Sequence, residues 1–87
     1  MYKLEVSSKV TKFIAKRTPK EQLAIIGAFE LLQQDPFNNS LDIKPFKSTR
    51  ANEYRLRIQG YRFIFRVVES EVIIYVLKGG NRGDVYK

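Results

Sequence analysis

The sequence has no cysteine and no histidine. The first absence excludes disulfides and thiolate chemistry and removes any reading of redox compartment. The second removes Ser-His triads, imidazole acid–base pairs and most zinc sites. No metal or other cofactor is therefore expected. Acidic residues are scarce: 9 Asp+Glu stand against 16 Lys+Arg, a formal net charge of +7. That excess favours a polyanionic partner, whether nucleic acid, a membrane surface or an acidic protein. No apolar run approaches the roughly 20 residues of a membrane span. The N-terminal stretch also lacks the basic and apolar regions of a signal peptide. A cytoplasmic protein without a membrane anchor is the expectation. At 87 residues the default is one domain, residues 1–87, with a modest core.

The apolar pattern changes period along the chain. Tyr2 to Val6 alternates and predicts a short strand. Ser7 or Ser8 can cap a helix in which Val10, Phe13 and Ile14 share one face, with Lys16 and Arg17 at its C-terminal end. Thr18-Pro19-Lys20-Glu21 is a stronger start signal: an N-cap, a proline at the first helical position and a capping-box glutamate. Ile25, Ala28, Phe29 and Leu32 then form a stripe that ends at Asp35-Pro36. The short join between these helices predicts a helical hairpin. Residues 36–52 lack a period and read as a loop, anchored by Leu41, Ile43 and Phe46. From Glu53 onward the period is two, predicting a run of three strands. The order predicts an α+β fold, with an N-terminal strand and a helical hairpin packed on one face of a small antiparallel sheet.

The stretch YRLRIQGYRFIFR, Tyr54 to Arg66, sets the register. A two-residue turn at Gln59-Gly60 places Tyr54, Leu56, Ile58, Tyr61, Phe63 and Phe65 on one face. Arg55, Arg57, Arg62, Ile64 and Arg66 fall on the other. A second turn at Glu69-Ser70 would set Val67 opposite Val72, Phe65 opposite Ile74 and Phe63 opposite Val76, with Ile73, Tyr75 and Leu77 beside the arginines. In this register Arg57 opposes Arg62, a like-charge pair that costs stability. A solvated basic face is the ordinary explanation of such residues. Here the arginines cluster with no evident acidic partner across the strand, and Ile64 and Tyr75 lie among them. Arginine also suits bidentate phosphate contact. Tyr54 and Tyr61 face the helices and read as core; Tyr75 suits either packing or stacking on a base.

The chain closes with Lys78-Gly79-Gly80-Asn81-Arg82-Gly83-Asp84-Val85-Tyr86-Lys87, whose glycines predict a turn holding Arg82. By itself this is a weak motif. Combined with the Tyr-Arg-x-Arg hairpin, the arginine after its turn and the apolar strand, the chain resembles the RelE/ParE toxin superfamily over nearly its whole length. The resemblance implies a small basic toxin of a type II toxin–antitoxin system, neutralised by an acidic antitoxin, in an arrangement compatible with a heterotetramer. It implies that RelE-type members cut mRNA on the ribosome and so inhibit translation. By matching position, Arg62, Arg82 and Tyr86 take the catalytic roles, and Arg55, Arg57 and Arg66 hold RNA phosphates. Two departures stand out. Arginines occupy Arg55 and Arg57, where lysines are frequent in ribosome-dependent members. The chain also stops one residue after Tyr86, without the C-terminal helix that some members carry.

RNA cleavage by its own 2′-hydroxyl needs a base, charge stabilisation at phosphorus and help for the departing 5′-oxygen. Arginine is a poor base. Tyr86 is then the base candidate, its phenolate favoured by nearby cations, and Arg82 the acid suggested by the resemblance. Without that resemblance, Tyr86 reads first as a packing residue at the end of a sheet. So sparse a site depends on a host such as the ribosome to orient the RNA. Two other readings stay open: a ParE-like inhibitor of DNA gyrase, and a non-catalytic RNA-binding module or inactive toxin relic.

Overall fold

A computed structural model describes residues 1–46 and 52–81. The elements are β1 (Lys3–Val6), α1 (Ser8–Ala15), α2 (Pro19–Gln34), β2 (Asp42–Pro45), β3 (Glu53–Ile58), β4 (Tyr61–Val68) and β5 (Ile73–Asn81). The strands form one sheet in the order β1-β5-β4-β3-β2. Both helix starts follow from local chemistry. Ser7 caps α1 through its Oγ, which accepts the Val10 N–H. At α2 the Thr18 hydroxyl accepts the Glu21 N–H and the Glu21 carboxylate accepts the Thr18 N–H, the reciprocal capping box, with Pro19 at the first position.

The Gln59-Gly60 hairpin has the expected register: Ile58 opposes Tyr61, Arg57 opposes Arg62, Leu56 opposes Phe63 and Tyr54 opposes Phe65. Gln59 takes φ 54°, as a tight hairpin turn requires. The inward face meets the helices. Val10, Ile25, Phe29 and Leu32 pack against Leu56, Phe63, Phe65, Ile74 and Val76. Phe63 is fully buried and meets Phe29 edge to face at 5.3 Å between ring centres. Burying such a side chain contributes about 1.5–3 kcal/mol.

Four features differ from the sequence reading. First, the sheet is mixed, because β1 lies parallel to β5. Alternation identifies a strand, not its neighbour. Second, the expected mid-chain loop contains β2, which pairs antiparallel with β3. It is short and includes Pro45, which an edge position tolerates. Third, the β4–β5 turn spans Glu69 to Val72, so Val67 opposes Ile74 and Phe65 opposes Val76. This two-residue shift preserves the predicted faces. Val72 holds φ 55°, strained for a β-branched residue, and its carbonyl accepts the Lys3 N–H at 2.9 Å, which starts the β1 pairing. Fourth, a register shift between Ile64 and Phe65 makes Leu77 the extra residue on β5. Beyond it, Gly79 opposes Phe63 and Gly80 opposes Arg62. Gly79 and Gly80 are therefore strand residues, not turn residues. A Cβ on Gly79 would come within 2.7 Å of Phe63 ring carbons, so the core phenylalanine requires glycine there. Ser7 ties this irregular stretch to α1: its N–H donates to the Val76 carbonyl at 3.0 Å and its Oγ–H to the Leu77 carbonyl at 3.2 Å.

Tyr61 joins the sheet to the helical hairpin. Its hydroxyl donates to Glu21 Oε2 at 2.5 Å and accepts from Arg17 Nη1 at 3.3 Å. The Arg17 guanidinium lies 4.4 Å from the Phe13 ring centre. The Tyr61 hydrogen bond, the Thr18 N–H and further polar contacts hold the Glu21 carboxyl below its ordinary value of 4.5. A depressed carboxyl stabilises the fold above its ordinary value, and the contribution is lost as pH falls through the folded-state value. Tyr61→Phe should therefore be less stable than wild type in urea at pH 7, and the deficit should shrink at pH 3. An equal deficit at both values would assign the effect to something other than the carboxylate charge.

Candidate anion-binding face

The arginines emerge on the sheet face away from the helices, and the register arranges them in rows. Asp42, Arg57, Arg62 and Gly80 form one row across β2 to β5. Lys44, Arg55, Ile64 and Lys78 form the next. Glu53, Arg66, Tyr75 and Glu5 form a third. Ile64 is 1% exposed although it is not part of the helix-side core.

The rows separate two kinds of arginine. Arg55 Nη2 lies 2.9 Å from Asp42 Oδ1, and Arg66 Nη2 lies 3.3 Å from Glu53 Oε2. The expectation that no carboxylate faces these arginines is thus corrected for both. Glu53 stands directly opposite Arg66 in the predicted register, so this pair was readable from the sequence. Asp42 was not, because it belongs to the strand hidden in the expected loop. The pairs differ in cover: the Arg66 and Glu53 side chains are 24% and 9% exposed, whereas Arg55 is 12% exposed and its partner Asp42, on the edge strand, 45%. Among the described residues, the buried Nε atoms of Arg55 and Arg66 have no hydrogen-bond partner.

Arg57 and Arg62 differ. They oppose each other directly, and no carboxylate among the described residues lies within ion-pair distance of either. Arg57 is exposed, whereas Arg62 is only 8% exposed. Arg62 is held against the face with no anion of the described residues beside it, so an arriving phosphate would supply the counter-charge. On β5 the neighbour of Arg62 is Gly80, which brings no side chain into the row. The basic face thus has a neutralised part, at Arg55 and Arg66, and a free part at Arg57 and Arg62 nearer the Gln59-Gly60 turn. Arg82 and Tyr86 lie outside the described residues; in sequence, Arg82 follows Asn81, the last residue of β5. Tyr75 shares the arginine face as expected, opposite Arg66, and is partly exposed. Among the described residues no group of His, Asp and Glu side chains could hold a metal ion, and no helix is long and apolar enough to cross a membrane.

No family model matches the chain, and no curated protein matches it. Solved structures do. RelE in the archaeal RelE–RelB complex from Pyrococcus horikoshii superposes with a TM-score of 0.83 at 22% identity, over 95% of this chain and 97% of that one. The fold is that of the RelE toxins. The isolated E. coli RelE toxin gives a TM-score of 0.76 at 18% identity, over 99% of this chain and 92% of that one. A YoeB/ParE toxin from Agrobacterium tumefaciens gives 0.75 at 19% identity, over 92% and 98%. The RelE-like fold explains the architecture: a helical hairpin covers one sheet face and leaves the other for charged residues.

The two classes of arginine should separate in stability. Arg66→Ala leaves the covered Glu53 without this cation and should cost about 1–3 kcal/mol. Arg57→Ala should stay within about 0.5 kcal/mol of wild type. Urea denaturation of both variants at pH 7 measures the difference, and equal effects would mean that the ion pairs do not organise this face.

Proposed function

We propose that the chain is the toxin of a type II toxin–antitoxin system: an endoribonuclease that cuts mRNA on the ribosome, inhibits translation and is neutralised by an acidic antitoxin. The observation that carries the reading is the opposed Arg57–Arg62 pair, which has no ion pair among the described residues because Asp42, the register neighbour of Arg57, is taken by Arg55. Folding alone gives no reason to place like charges opposite each other, whereas phosphate binding does. The RelE-like fold and the charge excess support the same reading.

In this reading Arg62 holds the scissile phosphate and Arg57 a flanking one. Arg55 and Arg66, held by Asp42 and Glu53, steady the face and add to its field at neighbouring phosphates. Tyr86 removes the proton of the 2′-hydroxyl. The resulting oxygen attacks the adjoining phosphorus, the bond from phosphorus to the 5′-oxygen breaks, and the departing oxygen takes a proton from Arg82, which regains one from solvent. The products are a 2′,3′-cyclic phosphate and a 5′-hydroxyl. Arg62 stabilises the charge that builds on the phosphorane. The ribosome supplies orientation, which such a site needs more than acid–base strength. The antitoxin covers the basic face with acidic residues in an assembly compatible with a heterotetramer.

The test uses purified chain with ribosomes programmed with a defined mRNA. Wild type should cut the mRNA, and protein-free RNA should stay intact in the absence of ribosomes. Arg62→Ala should lose activity while keeping its fold. Tyr86→Phe should lower the single-turnover rate by about 10²-fold or more. Wild-type rates in Tyr86→Phe would remove the tyrosine from the chemistry. An inactive wild type that produces gyrase-linked DNA breaks in cells would replace this reading with the ParE-like one. An inactive wild type without such breaks would leave a binding module or relic.

A further inference from the structure

Tyr75 and Leu77 are side chains of the arginine side of the sheet that folding does not explain. Both are partly exposed, and neither belongs to the helix-side core or packs against it. With Glu5, Val6, Ser7 and Val76 they line an open cavity of about 240 Å³ where β1 gives way to α1. Leu77 stands there because of the bulge, and Ser7 holds the bulge through the Val76 and Leu77 carbonyls. Residues two apart on a strand stand about 6.6 Å apart. That is about twice the roughly 3.4 Å separation of stacked bases, so Tyr75 and Leu77 leave room for one flat ring between them.

We propose that this cavity is a subsite for one base of single-stranded RNA, and that the base is guanine. The inference rests on the proposed RNA-binding role of the arginine face, which it extends. Proteins read unpaired RNA by stacking bases on aromatic rings and by hydrogen bonds along the base edge. The ring here is Tyr75. The edge is read by Glu5, the direct partner of Tyr75 across the β1–β5 pairing. The Glu5 carboxylate is exposed, and its 3.3 Å contact with exposed Lys3 is a surface pair of little strength. An ionised carboxylate only accepts hydrogen bonds. Guanine offers it two donor atoms side by side, the ring N–H and the amino group. Uracil sets one N–H between two carbonyl oxygens, and adenine and cytosine set their amino group beside a bare nitrogen. Glu5 also repels the acids of a protein partner from this cavity. Cations stand ready for the RNA backbone: Lys78, exposed and next to Leu77, opposes Ile64, which lies between Arg62 and Arg66. Arg66, opposite Tyr75, lies about 13 Å along β4 from Arg62. The cavity therefore reads a nucleotide further along the strand than the one whose phosphate Arg62 holds.

Fluorescence anisotropy at moderate salt tests it with two short labelled RNAs, one all uridine and one with a single central guanosine. Wild type should bind the guanosine-containing RNA about tenfold more tightly. Tyr75→Ala should remove most of that difference with an unchanged circular-dichroism melt. Tyr75→Phe should keep it, since the ring and not the hydroxyl stacks. Glu5→Gln should reduce the preference while binding the all-uridine RNA at least as tightly as wild type, because a negative charge has gone. Salt-dependent binding of both RNAs without a guanosine preference would overturn the base subsite and leave the arginine face standing. A guanosine preference that either Tyr75→Ala or Glu5→Gln leaves intact would overturn it as well, by placing base recognition elsewhere. No binding of either RNA would overturn the RNA reading of the face together with this inference.

Discussion

The register of the β3–β4 hairpin is the constraint on which the rest of the molecule depends. With Gln59-Gly60 at the turn, Leu56, Ile58, Phe63 and Phe65 all reach the helix side. A slip of one residue would turn the arginines into the core and the phenylalanines into water. Burial of those apolar side chains therefore fixes where the arginines stand. The opposition of Arg57 and Arg62 follows from the register, and its electrostatic cost is offset by the core beneath.

Around this hairpin the fold sorts charge. The edge strand β2 supplies Asp42 to Arg55, and the first residue of β3 supplies Glu53 to Arg66. Glu53 is covered by the sheet, whereas Asp42 stands exposed on the edge strand. The row containing Arg57 and Arg62 receives Gly80 from β5 instead of an acid. The bulge at Leu77 makes this alignment, because it shifts β5 so that glycines oppose Phe63 and Arg62. A packing requirement at Gly79 and an open row at Gly80 thus come from one irregularity in the strand.

Much of this was legible in the sequence. The caps at Ser7 and Thr18, the helical stripes and the hairpin faces are written in short-range patterns, which a one-dimensional reading captures. What it missed involves partners distant in the chain. β2 was invisible because four residues with a proline carry no period, and Asp42 was lost with it. The bulge was invisible because Gly79 and Gly80 signal a turn as readily as a strand; only the Phe63 ring distinguishes them. The Glu53–Arg66 pair could have been found by extending the predicted register by one residue. At the candidate site, Arg57 and Arg62 have the free placement expected, Arg55 and Arg66 are held by carboxylates, and Arg82 and Tyr86 belong to the undescribed stretch.

The central claim is that anion binding is localised at Arg57 and Arg62 and does not simply follow net charge. The salt dependence of binding to a short single-stranded RNA measures this directly, because each phosphate contact adds about 0.7 to the slope of log affinity against log salt. The double variant Arg57→Gln/Arg62→Gln should lower that slope by about 1.4. The charge-matched double variant Lys9→Gln/Lys12→Gln, on the exposed side of α1, should leave it nearly unchanged. Equal reductions in the two would show that binding tracks total charge and would contradict the account.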